Sequence, residues 1–147
     1  MASSATSATP PVRETVDGDV SLVRLYVLRA TYLLLIVGLS AINLPELISH
    51  EPTARGVIPS LLGAMWLLAF VGLRYPLKML PLLLFELGWK AIWLLDYGLP
   101  QWSSGTVPPT FAGDFQAIVM GVILMPLVIP WGHVYRRYIK QPGARWR

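Results

Sequence analysis

Four long apolar stretches constrain what this chain can fold into. Each is near the length that crosses the hydrocarbon of a bilayer as an α-helix, about 20 residues. The continuous apolar runs at 32–37 and 82–85 lack the alternation of a membrane β-barrel strand. The sequence therefore predicts an all-α integral membrane bundle of four transmembrane helices, at about Leu25–Ile48, Val57–Leu73, Leu77–Leu99 and Phe115–Tyr135.

Composition supports this class of protein. Of the 147 residues, 54% are hydrophobic and only 14% are charged, which departs strongly from a soluble domain of this size. The second stretch is the shortest, and Pro59 and Gly63 lie in its first half. A re-entrant segment is therefore the alternative for that stretch.

The chain divides into a membrane domain and two tails. Residues 1–20 are rich in Ala, Ser, Thr and Pro and are predicted to be a disordered cytoplasmic tail rather than a signal peptide. The transmembrane domain spans 21–140, and a basic cytoplasmic tail covers 141–147. Prolines and glycines predict that the loop Pro100–Asp114 is not helical, with Trp102 and Phe111 near the membrane interface.

Basic residues predict the orientation. Four spans place the N-terminus, the middle loop and the C-terminus on one side of the membrane, and that side carries most of the basic residues. The other side carries a single basic residue, Arg55, and the acidic residues Glu46, Glu51, Asp96 and Asp114. Because cytoplasmic loops carry the excess of Lys and Arg, both termini are expected in the cytoplasm. The compact size of the chain and its lack of cysteine favour a bacterial inner membrane. The residues predicted to anchor the protein at the cytoplasmic interface are Arg24, Arg29, Arg74, Lys78, Arg136, Arg137 and Lys140. The same side also carries Arg13, Arg145 and Arg147.

Several chemistries lack the residues they need. The chain has no cysteine, and its two histidines, His50 and His133, fall on opposite sides of the predicted membrane. Thiol redox chemistry, iron–sulfur clusters and thiolate zinc sites are therefore excluded. No Gly-rich phosphate loop or nucleophile elbow occurs. The sequence predicts no metal, no cofactor and no nucleic-acid partner, and it favours a protein without enzymatic activity.

The third apolar stretch contains two opposite charges. Glu86 and Lys90 are four residues apart near its middle, in the order that favours an intrahelical ion pair. At the centre of a bilayer each bare charge costs roughly 2.5–3.5 kcal/mol, so ionisable groups there are candidates for function. Trp93 and Tyr97 share the helix face of the pair, and Trp89 lies beside it.

Three interpretations of this pair remain open. In the first, it is a closed structural pair, with Trp89, Trp93 and Tyr97 supplying hydrogen bonds and packing. In the second, Glu86 exchanges protons or binds a cationic or polar ligand beside Lys90, with the tryptophans as an aromatic wall. In the third, a partner subunit completes the pair.

The fourth stretch has two prolines four residues apart, Pro126 and Pro130. They predict a backbone kink that frees the carbonyl groups of Val122 and Pro126, either for a cation or water or for a neighbouring side chain. The small residues Ala117 and Gly121, and likewise Ser60 and Ala64, have the spacing that permits close helix contact.

In size and predicted four-helix layout the chain is similar to the small multidrug resistance transporters. Those proteins carry their essential glutamate in the first helix, where this chain has only Glu46 near the outer end. The resemblance therefore covers size and layout, and no residue role is carried over.

The sequence favours a membrane protein that acts as an accessory or interaction subunit. Its expected partners are the lipid bilayer and either a second copy of the chain or another membrane protein. One alternative is a small proton-linked transporter or carrier working as a homo-oligomer, because four short helices enclose little room for a pathway. The other is an enzyme acting on lipid or quinone, for which Glu86, Lys90 and Tyr97 are the available acid, base or donor groups.

Overall fold

The computed structural model describes residues 20–49, 56–105 and 109–141, and all regular structure within these ranges is helical. This confirms the all-α class for the described part of the chain. The tails 1–19 and 142–147, with His50, Glu51 and Arg55, lie outside the described residues. The helices are α1 Leu22–Ser49, α2 Val57–Arg74, α3 Leu80–Trp93, α4 Leu99–Ser103, α5 Pro109–Val128 and α6 Trp131–Val134, with π-helical turns at Leu94–Gly98 and Tyr135–Lys140.

Three helices are long and apolar enough to cross a membrane, namely Leu22–Ser49, Val57–Arg74 and Phe111–Val128. Pro59 and Gly63 do not interrupt α2, since Pro59 lies in its first turn, where a missing backbone N–H leaves no bond unmade. Large apolar side chains of all three helices remain exposed. Such a surface matches the hydrocarbon of a bilayer.

Helices α1 and α2 pack as an antiparallel pair around Tyr32. Its ring is fully buried against Gly72, and its hydroxyl donates to the carbonyl oxygen of Pro76 at 3.2 Å. At the other end of the pair, Asn43 Nδ2 donates to the carbonyl of Pro59 at 3.0 Å. The contact is thus fixed by one buried polar bond near each end.

The third predicted helix begins at Leu80, three residues later than expected, because residues 76–79 form a turn. Its backbone stays helical through the π-helical turn Leu94–Gly98 and α4, with Leu99 at φ −68° and ψ −44°. Pro100 explains the wider turn, because its ring would clash with the carbonyl of Asp96 in a regular α-helix. In the π-helical turn the N–H of Leu99 instead bonds the carbonyl of Leu94.

The prediction that the loop Pro100–Asp114 is not helical is wrong at both of its ends. Residues up to Ser103 belong to α4, and α5 begins at Pro109. Proline is tolerated in the first turn of a helix, so Pro100 and Pro109 start helices here rather than break them. Trp102, expected at the membrane interface, stacks on Phe115 with ring centroids 4.8 Å apart.

The fourth predicted helix is interrupted rather than only kinked. It ends at Val128, and Pro130, with ψ 82°, separates it from α6. Pro126 lies inside α5, and its carbonyl accepts a bond from Trp131 Nε1 at 2.8 Å. A neighbouring side chain therefore satisfies this freed carbonyl, which was one of the two predicted outcomes.

The two ends of the bundle carry opposite charges. Arg24 Nη2 donates to the carbonyl of Ile129 at 3.1 Å, and Arg29 Nε donates to that of Leu73 at 3.3 Å, which joins three helices at one end. This basic end holds Arg24, Arg29, Arg74, Lys78, Arg136, Arg137 and Lys140. The acidic end holds Glu46, Asp96 and Asp114.

Candidate functional site

The most unusual site in the fold is the carboxylate of Glu86, which helix α3 places inside the protein. Glu86 is only 1% exposed and is among the largest fully buried side chains of the described residues. A carboxylate removed from water needs hydrogen-bond partners for both of its oxygens. Both partners come from the next turn of the same helix.

Lys90 and Trp89 each bind one oxygen of this carboxylate. Lys90 Nζ lies 2.5 Å from Oε1, and Trp89 Nε1 donates to Oε2 at 2.6 Å. The Lys90 ammonium also lies 5.1 Å from the centroid of the Trp89 ring, within the range of a cation–π contact. Glu86, Trp89 and Lys90 thus form a closed group, termed here the buried triad.

Helix α5 packs against the buried triad through a glycine. A Cβ atom added to Gly121 would lie 2.9 Å from Lys90 Cδ and 3.2 Å from its Nζ. The absence of a side chain at position 121 therefore leaves the space that the lysine stem fills. Of the four small residues predicted to permit close helix contact, Gly121 therefore makes one. The other three, Ala117, Ser60 and Ala64, are exposed.

The other two residues of the predicted site belong to a different place. Trp93 packs against Phe111, with ring centroids 5.5 Å apart, and Tyr97 is 64% exposed. Both line a cavity of about 500 Å³ at the acidic end, together with Asp96, Gln101, Ser104 and Phe111. This acidic-end cleft combines a carboxylate with aromatic rings, and neither Glu86 nor Lys90 lines it.

The candidate groups for an enzyme on lipid or quinone lie in two different places. That hypothesis has Glu86, Lys90 and Tyr97 as its available acid, base or donor groups. Tyr97 follows Glu86 by eleven residues, a rise of about 16 Å along a helix. Tyr97, the proposed donor, therefore lies in the acidic-end cleft, whereas Glu86, the proposed acid, lies in the buried triad.

His133 is a polar residue whose burial the sequence pattern does not reveal. It is 5% exposed, and its Nδ1 has no hydrogen-bond partner among the described residues. The signal that points to it is its position shortly after the break at Pro130, in the short helix α6.

The described part of the chain is thus an all-helical protein with three helices long and apolar enough to cross a membrane. It buries an ion pair where α3 packs against α5. No protein-family model, curated protein or solved structure matches this chain. The site must therefore be interpreted from its own geometry.

Proposed function

We propose that the chain is a four-span inner-membrane protein that acts as an accessory or interaction subunit, with the buried triad as a structural element. The observation that carries this proposal is the closure of the triad: both oxygens of Glu86 are engaged within one helix, at 1% exposure. The triad lies where α3 contacts α5, since the Lys90 stem fills the space beside Gly121, and it therefore supports the packing of these two helices. Replacing both charges by apolar residues tests this role.

The fourth span in this proposal is the continuous helical stretch Leu80–Ser103. Its three segments of 14, 5 and 5 residues extend about 36 Å at 1.5 Å per residue, enough to cross the hydrocarbon core. It lies along α5, through Lys90 at Gly121 and Trp93 at Phe111. With it, the basic end faces one side of the membrane and the acidic end the other, and the rule for basic loops places both termini in the cytoplasm.

Single-cysteine labelling distinguishes four spans from three. The natural chain has no cysteine, so Ser21→Cys, Ser103→Cys and Gln141→Cys each give one reactive site at a position exposed in the structure. Four spans predict that a membrane-impermeant maleimide labels only Ser103→Cys in intact spheroplasts. If Leu80–Ser103 does not cross, Gln141→Cys is labelled instead and Ser103→Cys is protected.

The same three variants report the orientation. Labelling of both Ser21→Cys and Gln141→Cys, with Ser103→Cys protected, would contradict the cytoplasmic placement of the termini. Labelling after lysis provides the control for reactivity, and the cysteine-free natural chain provides the control for background.

A second candidate function is a small carrier for organic cations, and the acidic-end cleft favours it. Its lining brings Asp96 together with the rings of Trp93, Tyr97 and Phe111. Aromatic faces and a carboxylate are the groups that recognise quaternary ammonium ions. In such a carrier the cleft, rather than Glu86, would receive the substrate.

Binding of benzyltrimethylammonium to the purified full chain in detergent tests the cleft. We expect Asp96→Asn to weaken binding at least about fivefold, because it removes the only carboxylate in the lining. Asp114→Asn is the matched control, since it removes another exposed acid of the same end that does not line the cleft. Isothermal titration calorimetry that gives no binding, or equal affinity in the two variants, would argue against a carrier.

A further inference from the structure

A second cavity lies at the basic end, where the turn between α2 and α3 meets α1. Its volume is about 190 Å³, equal to the liquid volume of about six water molecules. Arg29, Arg74 and Lys78 line it together with Tyr75, and Leu25, Pro76 and Leu77 complete its wall. This cavity is termed the basic pocket.

Two of the three cations of the basic pocket lie over one aromatic ring, that of Tyr75. Arg74 lies 5.6 Å and Lys78 5.4 Å from the centroid of Tyr75, and Arg74 Nε also donates to the Tyr75 hydroxyl at 3.0 Å. The third cation, Arg29, is held from α1 by its bond to the carbonyl of Leu73. Side chains from two sides of the turn therefore converge on the same space.

No negative charge balances these three cations within the described residues. The acids among 20–49, 56–105 and 109–141 are Glu86, which pairs with Lys90, and three carboxylates of the opposite end. Like charges that line one small cavity repel each other, so an anion in the pocket would lower the electrostatic energy. Arginine and lysine together are the usual ligands of phosphate oxygens.

We propose that the basic pocket binds the phosphate group of an anionic phospholipid. The apolar wall formed by Leu25, Pro76 and Leu77 favours a lipid over free phosphate, because it offers a surface for the glycerol and upper acyl carbons. The basic end lies at a membrane surface in the four-span arrangement, where headgroups are present. The basic pocket thus does more than anchor the protein at the membrane interface, because it holds the phosphate of an anionic lipid at one defined position.

Native mass spectrometry of the full chain in dodecylmaltoside tests this proposal. Dioctanoyl phosphatidylglycerol is titrated against dioctanoyl phosphatidylcholine, and we expect tighter binding of the anionic lipid. Arg74→Gln/Lys78→Gln should weaken that binding about 30-fold, the factor expected for two basic groups beside an anionic headgroup. Arg137→Gln/Lys140→Gln is the matched control: it removes the same two residue types from exposed positions outside the pocket, and screening should limit its effect to about threefold.

A further variant separates pocket shape from charge. Tyr75→Leu leaves the net charge unchanged and removes the ring that holds both cations, and it should weaken phosphatidylglycerol binding about tenfold. Equal losses in the pocket and control variants would overturn the proposal, because they would show general attraction to a basic end. Competition by inorganic phosphate at the same concentration would assign the pocket to a soluble phosphate and overturn the lipid assignment.

Discussion

Lys90→Met should destabilise the protein by about 3–5 kcal/mol, because it leaves a buried carboxylate without its cation. Glu86 is 1% exposed and would retain only the Trp89 bond. Glu86→Gln should cost less, since Lys90 is 16% exposed and keeps its contact with the Trp89 ring. Thermal unfolding in mild detergent, with oligomer size from light scattering, measures both effects.

The double variant Glu86→Leu/Lys90→Met decides between the interpretations of the pair. A structural pair can be replaced by apolar residues of similar volume, so the double variant should recover to within about 1 kcal/mol of the natural protein. Lys140→Met, at an exposed position, is the control and should change stability by less than about 0.5 kcal/mol. Equal stability of all variants would contradict a structural role and make proton or ligand exchange at Glu86 the better explanation.

The sequence predicts the first two helices within three residues at each end. Charged residues are few in both apolar runs, and in such runs hydrophobic length defines the element. The sequence-based prediction fails for residues 100–114, where prolines and glycines indicate a break in the helix. Whether a proline starts or ends a helix depends on the turn it occupies, and composition does not contain that information.

The sequence predicts contacts within one helical turn but not contacts over longer distances. The spacing of Glu86 and Lys90 gives an ion pair within one turn, and a helix forms that contact without help from the rest of the fold. Trp93 and Tyr97 share the same face on a helical wheel, but they lie about 10 and 16 Å further along the axis, so they reach the acidic-end cleft instead. Residues on one face of a helix point in the same direction, but they can lie far apart along the helix axis.

Sequence patterns of this kind do not predict which residues make the contacts between helices. The glycine that accommodates Lys90 is one of four small residues with suitable spacing, and the other three are exposed. Gly72, which receives the ring of Tyr32, belongs to none of these pairs. Small residues are frequent in apolar segments, so only the packed structure shows which of them face a large neighbour.

Gly72→Ala should destabilise the α1–α2 pair by about 2–3 kcal/mol, because the new Cβ atom would lie inside a packed ring. It would fall 2.4 Å from Tyr32 Cδ1 and 2.5 Å from Cε1. The ring cannot swing away cheaply, since Tyr32 is fully buried and its hydroxyl is bonded to Pro76. Thermal unfolding of the purified protein measures the loss.

Gly88→Ala is the matched control, since a Cβ atom there meets nothing within 4 Å. It should be neutral or stabilising by up to about 1 kcal/mol, because alanine favours the helix over glycine. Tyr32→Leu should cost stability in the natural protein but cost less in the Gly72→Ala background, where the smaller side chain relieves the overlap. An equal cost of Tyr32→Leu in both backgrounds would show that the two positions are not coupled, and the α1–α2 contact would then have to depend on Asn43 and its bond to Pro59 at the opposite end.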